Sequence, residues 1–385
     1  MQKYDYIIAG GGLAGLSLAY YINQTDLRKK SMLIIDQDTK NKNDRTWCFW
    51  EKKGQNSFEP IAHRQWQKVY FHGTDFSSQL DLGPYSYKWL RGIDFYNFVK
   101  RDLSNNTNIR FVNERIERLK DTPDGGFIIT DENQYLGAYV FDSTKLLHLD
   151  LVGCHNMLQH FKGWLIVTNK PVFDPDCPTM MDYRVGQHNK EVRFMYVLPE
   201  SPTRAMVEFT VFSDKLLSPT EYDIALRDYI KNFLHIEEFG IEEEEFGVIP
   251  MTDEPIVNHE GKHIIRIGTS GGYVKASTGY AFQRTQRFTR ALVKDLLEGK
   301  DPTQQKNTLF KWFKGLLDST LLNVLLRGRA AGKDVFTALY KKNPTPLLFS
   351  FLDEDTSLKE DFRVMQSVPI FPFIVGMLDA LRKRL

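Results

Sequence analysis

Apolar and polar positions follow two different periods along this chain. Residues 4–9 form a short apolar run, and residues 13–23 repeat apolar side chains at helical spacing. Residues 32–35 form a second apolar run that ends at Asp36. A buried strand, a helix and another buried strand predict a parallel, doubly wound sheet. The spacing over 95–103 suits a further helix. From about 182 to 212 the period falls to two, most clearly over 192–198 and 204–212. That alternation predicts an antiparallel sheet, inserted as a second domain. Residues 264–268 return to the buried-strand pattern. A helix is expected over 277–297, with Phe288, Ala291, Leu292 and Leu296 on one side, and the rest to residue 385 reads as mostly helical.

Composition narrows the class. The 385 residues carry 50 Lys and Arg against 49 Asp and Glu, a net charge of +1. No basic excess points to nucleic acid, and none is expected as a partner. Aromatic residues make up 13% of the chain, with 27 Phe among them. The three cysteines, Cys48, Cys154 and Cys177, are few, odd in number and far apart, so a reducing compartment and no disulfide framework are expected. No apolar stretch reaches the ~20 residues of a spanning helix. The apolar opening lacks the basic start and cleavage site of a signal peptide. The tail does combine Phe371, Phe373, Ile374, Met377, Leu378 and Leu381 with Arg382, Lys383 and Arg384. Such a segment either docks as a C-terminal helix or lies in a lipid interface.

Gly10-Gly11-Gly12-Leu13-Ala14-Gly15 is a G-x-G-x-x-G hexapeptide between the first strand and helix, and Asp36 closes the next strand. Gly10 permits the tight turn, Gly12 admits a pyrophosphate, and Gly15 lets helix and sheet approach. Gly11, Leu13 and Ala14 complete the turn, whose free N–H groups face phosphate. Asp36 is the expected acceptor for ribose hydroxyls. A second glycine cluster, Gly268-Thr269-Ser270-Gly271-Gly272, follows a late strand. With no second fingerprint for a nicotinamide, FAD is favoured over NAD, with Gly268, Gly271 and Gly272 at its far end. The expected architecture is therefore α/β. A Rossmann-type FAD-binding domain occupies 1–150 and 250–300, and an antiparallel-sheet substrate domain 151–249. A helical C-terminal region, a candidate membrane contact, follows over 301–385.

The late glycine cluster, with the blocks Asn43 to Trp50, Phe141 to Ser143, Leu158 to Trp164, Met206 to Thr210 and Glu245 to Met251, occurs in an order that resembles the lycopene cyclases, carotenoid-ring-forming flavoproteins of the β-cyclase type. The late cluster runs into Lys275-Ala276-Ser277-Thr278-Gly279-Tyr280, similar to their late flavin-site signature. Asn43-Asp44-Arg45-Thr46-Trp47-Cys48-Phe49-Trp50, Phe141-Asp142-Ser143 and Leu158-Gln159-His160-Phe161-Lys162-Gly163-Trp164 resemble further blocks. So do Met206-Val207-Glu208-Phe209-Thr210 and Glu245-Phe246-Gly247-Val248-Ile249-Pro250-Met251. Thr269 stands where flavin hydroxylases usually carry Asp. Phe209 stands where the family has a second Glu, which puts in doubt any role shared by two carboxylates on that strand.

The resemblance implies an isomerase that protonates a ψ end group of lycopene and closes a β-ionone ring without net redox change. It implies reduced FAD, NAD(P)H as the reductant, and a cytoplasmic protein that meets lycopene and its carotenoid products at a membrane surface. Glu208 is the implied general acid. On an alternating strand it shares a face with Met206, Thr210 and Phe212, opposite the apolar Ala205, Val207, Phe209 and Val211. Desolvation there favours the protonated carboxyl. Trp47, Phe49, Trp50, Tyr280 and Phe282 are candidates for facing a carbocation, or for ordinary packing. Ser277 reads as a helix cap, Thr278 as a flavin contact or a support for the turn, and Asp142 as a turn residue. The run Glu242 to Glu245 resembles a solvated face, although Glu245 heads a matched block. His155, His160 and His263 show no metal spacing, and no metal is expected. A redox flavoenzyme of the same fold, a hydroxylase or prenyl reductase, is the alternative.

Overall fold

The computed structural model describes residues 1–385 except 53, 55–56, 189, 305–307 and 385, and only the backbone of 383 and 384. The basic side chains expected at Lys383 and Arg384 thus lie outside the described residues.

Three sheets occur among the described residues. In the first, β1 (Gln2–Ala9) lies between β2 (Met32–Ile35) and β11 (Gln134–Asp142). Parallel β8 (Ile109–Val112) and β18 (Ile264–Arg266) extend it, and β17 (His259–Glu260) closes the edge beside β18. Antiparallel β9 (Ile116–Thr122) and β10 (Gly125–Thr130) attach through β11. Ile7, Ile8 and Ala9 are fully buried, as a central parallel strand covered on both faces requires. The second sheet has the order β16 (Gly240–Thr252), β12 (Asn156–Val167), β15 (Arg204–Ser213), β14 (Val192–Ser201), β13 (Thr179–Asp182), β5 (Lys68–Gly73) and β6 (Phe76–Asp81). A third, small sheet holds β3 (Thr46–Lys52), β7 (Tyr85–Arg91) and β4 (Arg64–Trp66).

Helix α1 (Leu13–Asn23) follows the glycine turn and packs on α4 (Phe282–Leu297), while α2 (Gly92–Leu103) lies against α1. Helix α3 (Pro219–Asn232) covers one face of the second sheet, where Tyr222, Leu226, Tyr229 and Ile230 meet Ala205, Val207, Phe209 and Val211. The opposite face, with Met206 and Phe212, shares a core with Tyr87, Tyr196 and the helices α5 (Leu309–Leu326), α6 (Gly332–Lys342), α7 (Thr345–Leu352) and α8 (Leu358–Met365). The last helix, α9 (Ile370–Arg384), packs on α5. Both faces of β15 are therefore inside the protein.

The α/β architecture is as expected, with three differences. The second sheet reaches beyond 151–249 and is not wholly antiparallel, because β5 joins it parallel to β13, β6 follows β5, and β16 runs on to Thr252. Helix α4 begins at Phe282 and not at Ser277. Gly279 adopts φ of 72°, and its N–H closes a turn onto the Lys275 carbonyl at 2.8 Å. Ser277 consequently caps no helix and donates to Asp318 at 2.7 Å. The buried side of α4 is also partly polar. Gln286 donates to Ser17 at 2.8 Å and accepts from Tyr21 at 3.0 Å, while Ala291 faces outward.

A Cβ on Gly15 would stand 2.0 Å from the Gly10 carbonyl oxygen, whereas one on Gly12 would meet nothing within 4 Å. Gly15→Ala should therefore lower the stability of the ligand-free protein by about 1–3 kcal/mol in urea unfolding. Gly12→Ala should change it by no more than about 1 kcal/mol and impair only dinucleotide binding.

Candidate active site

The two large sheets and the small one meet around a chamber of about 440 Å³. Gly12, Leu13 and Ala14 from the start of α1 form one wall, with Gly268 and Thr269 beside them. Trp47 and Cys48 from β3, Tyr280 and Phe282 from the late segment, and Gln159 and Phe161 from β12 form the others. Tyr196, Glu208 and Glu245 project from the second sheet.

The two carboxylates are placed by strand register. Gly163 on β12 pairs with Glu208 on β15 and with Glu245 on β16. Residues paired directly across strands project from the same face. Gly163 leaves the space between them open, since a Cβ there would lie 2.9 Å from Met206 Sδ and 3.5 Å from Glu208 Cβ. Tyr196 pairs with Glu208 from the other side, and its hydroxyl lies 3.4 Å from that of Tyr280. Phe209 faces α3 on the other side of β15, so the second carboxyl of the chamber comes from a different strand.

These carboxyls differ in their surroundings. Glu208 keeps some accessible surface only because it faces the chamber. Burial, and next the charge of Glu245, push its carboxyl from the usual 4.5 up to about 8; the Thr210 hydroxyl, donating at 2.7 Å, opposes them. Burial also raises Glu245, but Thr46 pulls it back, its backbone N–H donating to Oε1 at 2.9 Å. At neutral pH, then, Glu208 holds its proton, and each carboxyl accepts from a threonine, Glu208 from the Thr210 hydroxyl and Glu245 from the Thr46 N–H.

The glycine turn sorts into two groups. Gly10, at φ of 98°, and Gly15 shape the turn, while Gly12, Leu13 and Ala14 line the chamber. Helix α1 has no side-chain cap and no acidic residue in its first turn, so its N–H groups face an open cradle suited to phosphate. Gly11 and Asp36 line a neighbouring cavity of about 300 Å³, and Lys40 borders both spaces. Asp36 accepts from the Gly11 N–H at 2.6 Å and from the Asp38 N–H at 2.7 Å. An elongated dinucleotide with its phosphates at the turn matches this pair of spaces. At the far end Gly268 lines the chamber, while Gly271 and Gly272 form the turn behind it.

Of the aromatic candidates, Trp47, Tyr280 and Phe282 reach the chamber. Phe49 stacks on Phe282 at 4.0 Å and Trp50 on Phe349 at 4.3 Å, both as packing. Thr278 lines a different cavity, and Asp142 is a turn residue that accepts from the Thr144 N–H at 2.8 Å. His155 meets Asp253, His160 meets Ser213 and Tyr222, and His263 meets Asp121. No cluster of three or more potential metal ligands occurs among the described residues. Sequence reasoning passes over Tyr196. The signal available is its place on the same alternating face as Val192, Phe194 and Leu198.

A family profile described as "Lycopene cyclase protein" matches residues 5–378. A chloroplastic neoxanthin synthase from Solanum tuberosum is 22% identical over 322 residues, 78% of this chain and 62% of that protein. This chain therefore spans less than two thirds of that relative's length. A geranylgeranyl bacteriochlorophyll reductase-like protein from Thermoplasma acidophilum aligns over 99% of this chain and 100% of its own, at 13% identity and a TM-score of 0.64. The halogenase PltM, solved with phloroglucinol and FAD, aligns over 91% of this chain and 82% of its own, at 12% identity and a TM-score of 0.59. Those structures share the fold. The profile covers nearly the whole sequence, and on that match the chain belongs to the lycopene cyclase family.

Proposed function

We propose that this chain is a lycopene β-cyclase, an isomerase of the intramolecular-lyase kind that converts lycopene through γ-carotene to β-carotene. The observation that carries the reading is Glu208, a carboxyl pushed up to about 8 and aimed into an aromatic-lined chamber. Alkene protonation needs an acid that is still protonated at neutral pH and a site without water to trap the cation.

Glu208 gives its proton to the terminal double bond, so an O–H bond breaks and a C–H bond forms. The tertiary cation is attacked by an internal double bond, which closes the ring. A ring proton then leaves to the carboxylate pair, and its C–H electrons form the one double bond of the ring. The proton given up at the start is returned at the end, and no electrons are gained or lost. Trp47 and Tyr280 offer aromatic faces to the cation, each worth about 0.5–2 kcal/mol when well placed. Reduced FAD, held by the turn at 10–15, by Asp36 and by Gly268, Gly271 and Gly272, would supply negative charge beside the cation, with NAD(P)H as the source of its electrons.

An insoluble substrate also requires access from lipid. Phe362 on α8 and Ile370, Phe371, Ile374 and Leu378 on α9 are 52–77% exposed, an apolar face suited to a membrane surface. No described helix is long and apolar enough to cross a membrane. The exposed face supports peripheral binding, and three cysteines without a disulfide fit the reducing cytoplasm.

Purified protein with reduced FAD and lycopene in vesicles, without oxygen, should yield cyclised product of unchanged mass. A product that gains oxygen, or two hydrogens, would instead mark a hydroxylase or a prenyl reductase. Glu208→Gln should keep flavin binding and lose about 10²–10⁴-fold in cyclisation rate; full activity would remove Glu208 from its role. The raised carboxyl has a stability signature as well. Between pH 4.5 and about 8 the unfolded chain loses this proton while the native state keeps it. The contribution of Glu208 to stability is therefore complete at low pH and falls by about 1.4 kcal/mol per pH unit over that window. The stability difference between the native protein and its Glu208→Gln variant, measured by urea unfolding from pH 5 to 8, should show this slope.

A further inference from the structure

A second cavity, of about 270 Å³, lies within the C-terminal helices. We propose that it binds the polyene chain of the substrate, the part remote from the reacting end group. The identity of that polyene rests on the cyclase reading; the class of ligand, a long thin hydrocarbon, rests on the cavity itself.

The walls are apolar side chains from several helices, among them Leu317 and Leu321 of α5, Phe336 and Leu339 of α6, and Phe373 and Met377 of α9. The charged groups at its margin are already paired. Lys275 Nζ donates to Asp318 at 2.7 Å and to Glu354 at 3.0 Å. Lys314 Nζ donates to both oxygens of Asp361, at 2.6 and 2.7 Å. Neither lysine and none of these three carboxylates is left to recruit a polar ligand, so the cavity favours a hydrocarbon.

Its position sets the ligand's shape. Lys275, Ser277 and Thr278 line this cavity, and the next residues, Gly279 to Phe282, line the reaction chamber. A single turn, closed by the Gly279 N–H on the Lys275 carbonyl, therefore forms a wall of both spaces. A molecule that occupies the two in series is long and narrow. The cavity's other side includes Phe362, Ile370 and Ile374, which also belong to the exposed apolar face of α8 and α9. The cavity thus lies between the face suited to lipid and the chamber that holds Glu208.

Diphenylhexatriene, a linear polyene that fluoresces in apolar surroundings, tests this with the flavin-loaded protein in detergent-free buffer. The native protein should bind one equivalent. Met377→Trp and Leu321→Trp should weaken binding by about tenfold or more, the scale of one overpacked side chain. Lycopene delivered in cyclodextrin should displace the probe, and dioleoylphosphatidylcholine should not. Native affinity in both folded Trp variants would overturn the proposal, as would displacement by the phospholipid alone. A crystal structure of the unmodified protein with the probe avoids any folding defect in the variants: density between α5 and α9 supports the site, and density confined to the Glu208 chamber refutes it. Probe binding that the Trp variants abolish, in a protein that does not cyclise lycopene, would uphold the cavity and count against the proposed reaction instead.

Discussion

A carboxyl that keeps its proton at neutral pH has to be shielded from water, and a shielded carboxyl has to be held by something other than solvent. Strand β15 meets both conditions. Its apolar face is sealed by α3, and its other face is covered by the small sheet and the C-terminal helices. Glu208 therefore points into a chamber and not to the exterior, where an acidic side chain on a two-sided sheet would otherwise ionise. Gly163, opposite it on β12, leaves room for Glu245 to face the same space. The two carboxyls then share a low-dielectric site in which charge on one disfavours charge on the other. Each also accepts from a threonine, Glu208 from Thr210 and Glu245 from Thr46.

The remaining elements line the rest of the chamber. The first sheet brings the glycine turn and the Gly268–Gly271 turn to the chamber's edge, so a dinucleotide and the acid would approach the reacting atoms from different sheets. The helical region has two tasks. It closes the face of the second sheet that carries Glu208, and it encloses the apolar cavity that adjoins the chamber through the turn at Gly279. Under the proposed reaction, a hydrocarbon substrate and a neutral acid would impose the same demand here, an interior free of unpaired charge. The pairing of Lys275 with Asp318 and Glu354 beside those apolar walls meets that demand.

Local features are legible in the sequence. The turn at 10–15 and α1 follow from glycine placement and apolar spacing within a few residues, and Leu13–Asn23 and Met32–Ile35 match the expected bounds. The two faces of β15 follow from strict alternation. Features set by distant contacts are hidden. Nothing near Lys68–Asp81 shows that its strands join a sheet built mainly from residues after 155. The acidic run at 242–245 resembles a solvated face because its charge outweighs its period. In the structure Glu242 and Glu244 pair with Arg204 and Lys162, whereas Glu243 and Glu245 reach Asn43 and Thr46. The start of α4 is hidden because Gly279 closes a turn where helix-forming neighbours suggest continuity. Its buried polar side is equally hidden, since Gln286 is satisfied by Tyr21 and Ser17 from α1.

The central claim is that a protein-bound proton starts the reaction and that no redox change follows. Its most direct test is a single turnover in deuterium oxide, with enzyme in excess over lycopene and the product weighed by mass spectrometry. The account predicts one solvent deuterium for each ring formed, placed by the acid, and no oxygen in the product. A cyclised product without deuterium, or one that has gained oxygen or a pair of hydrogens, would contradict it.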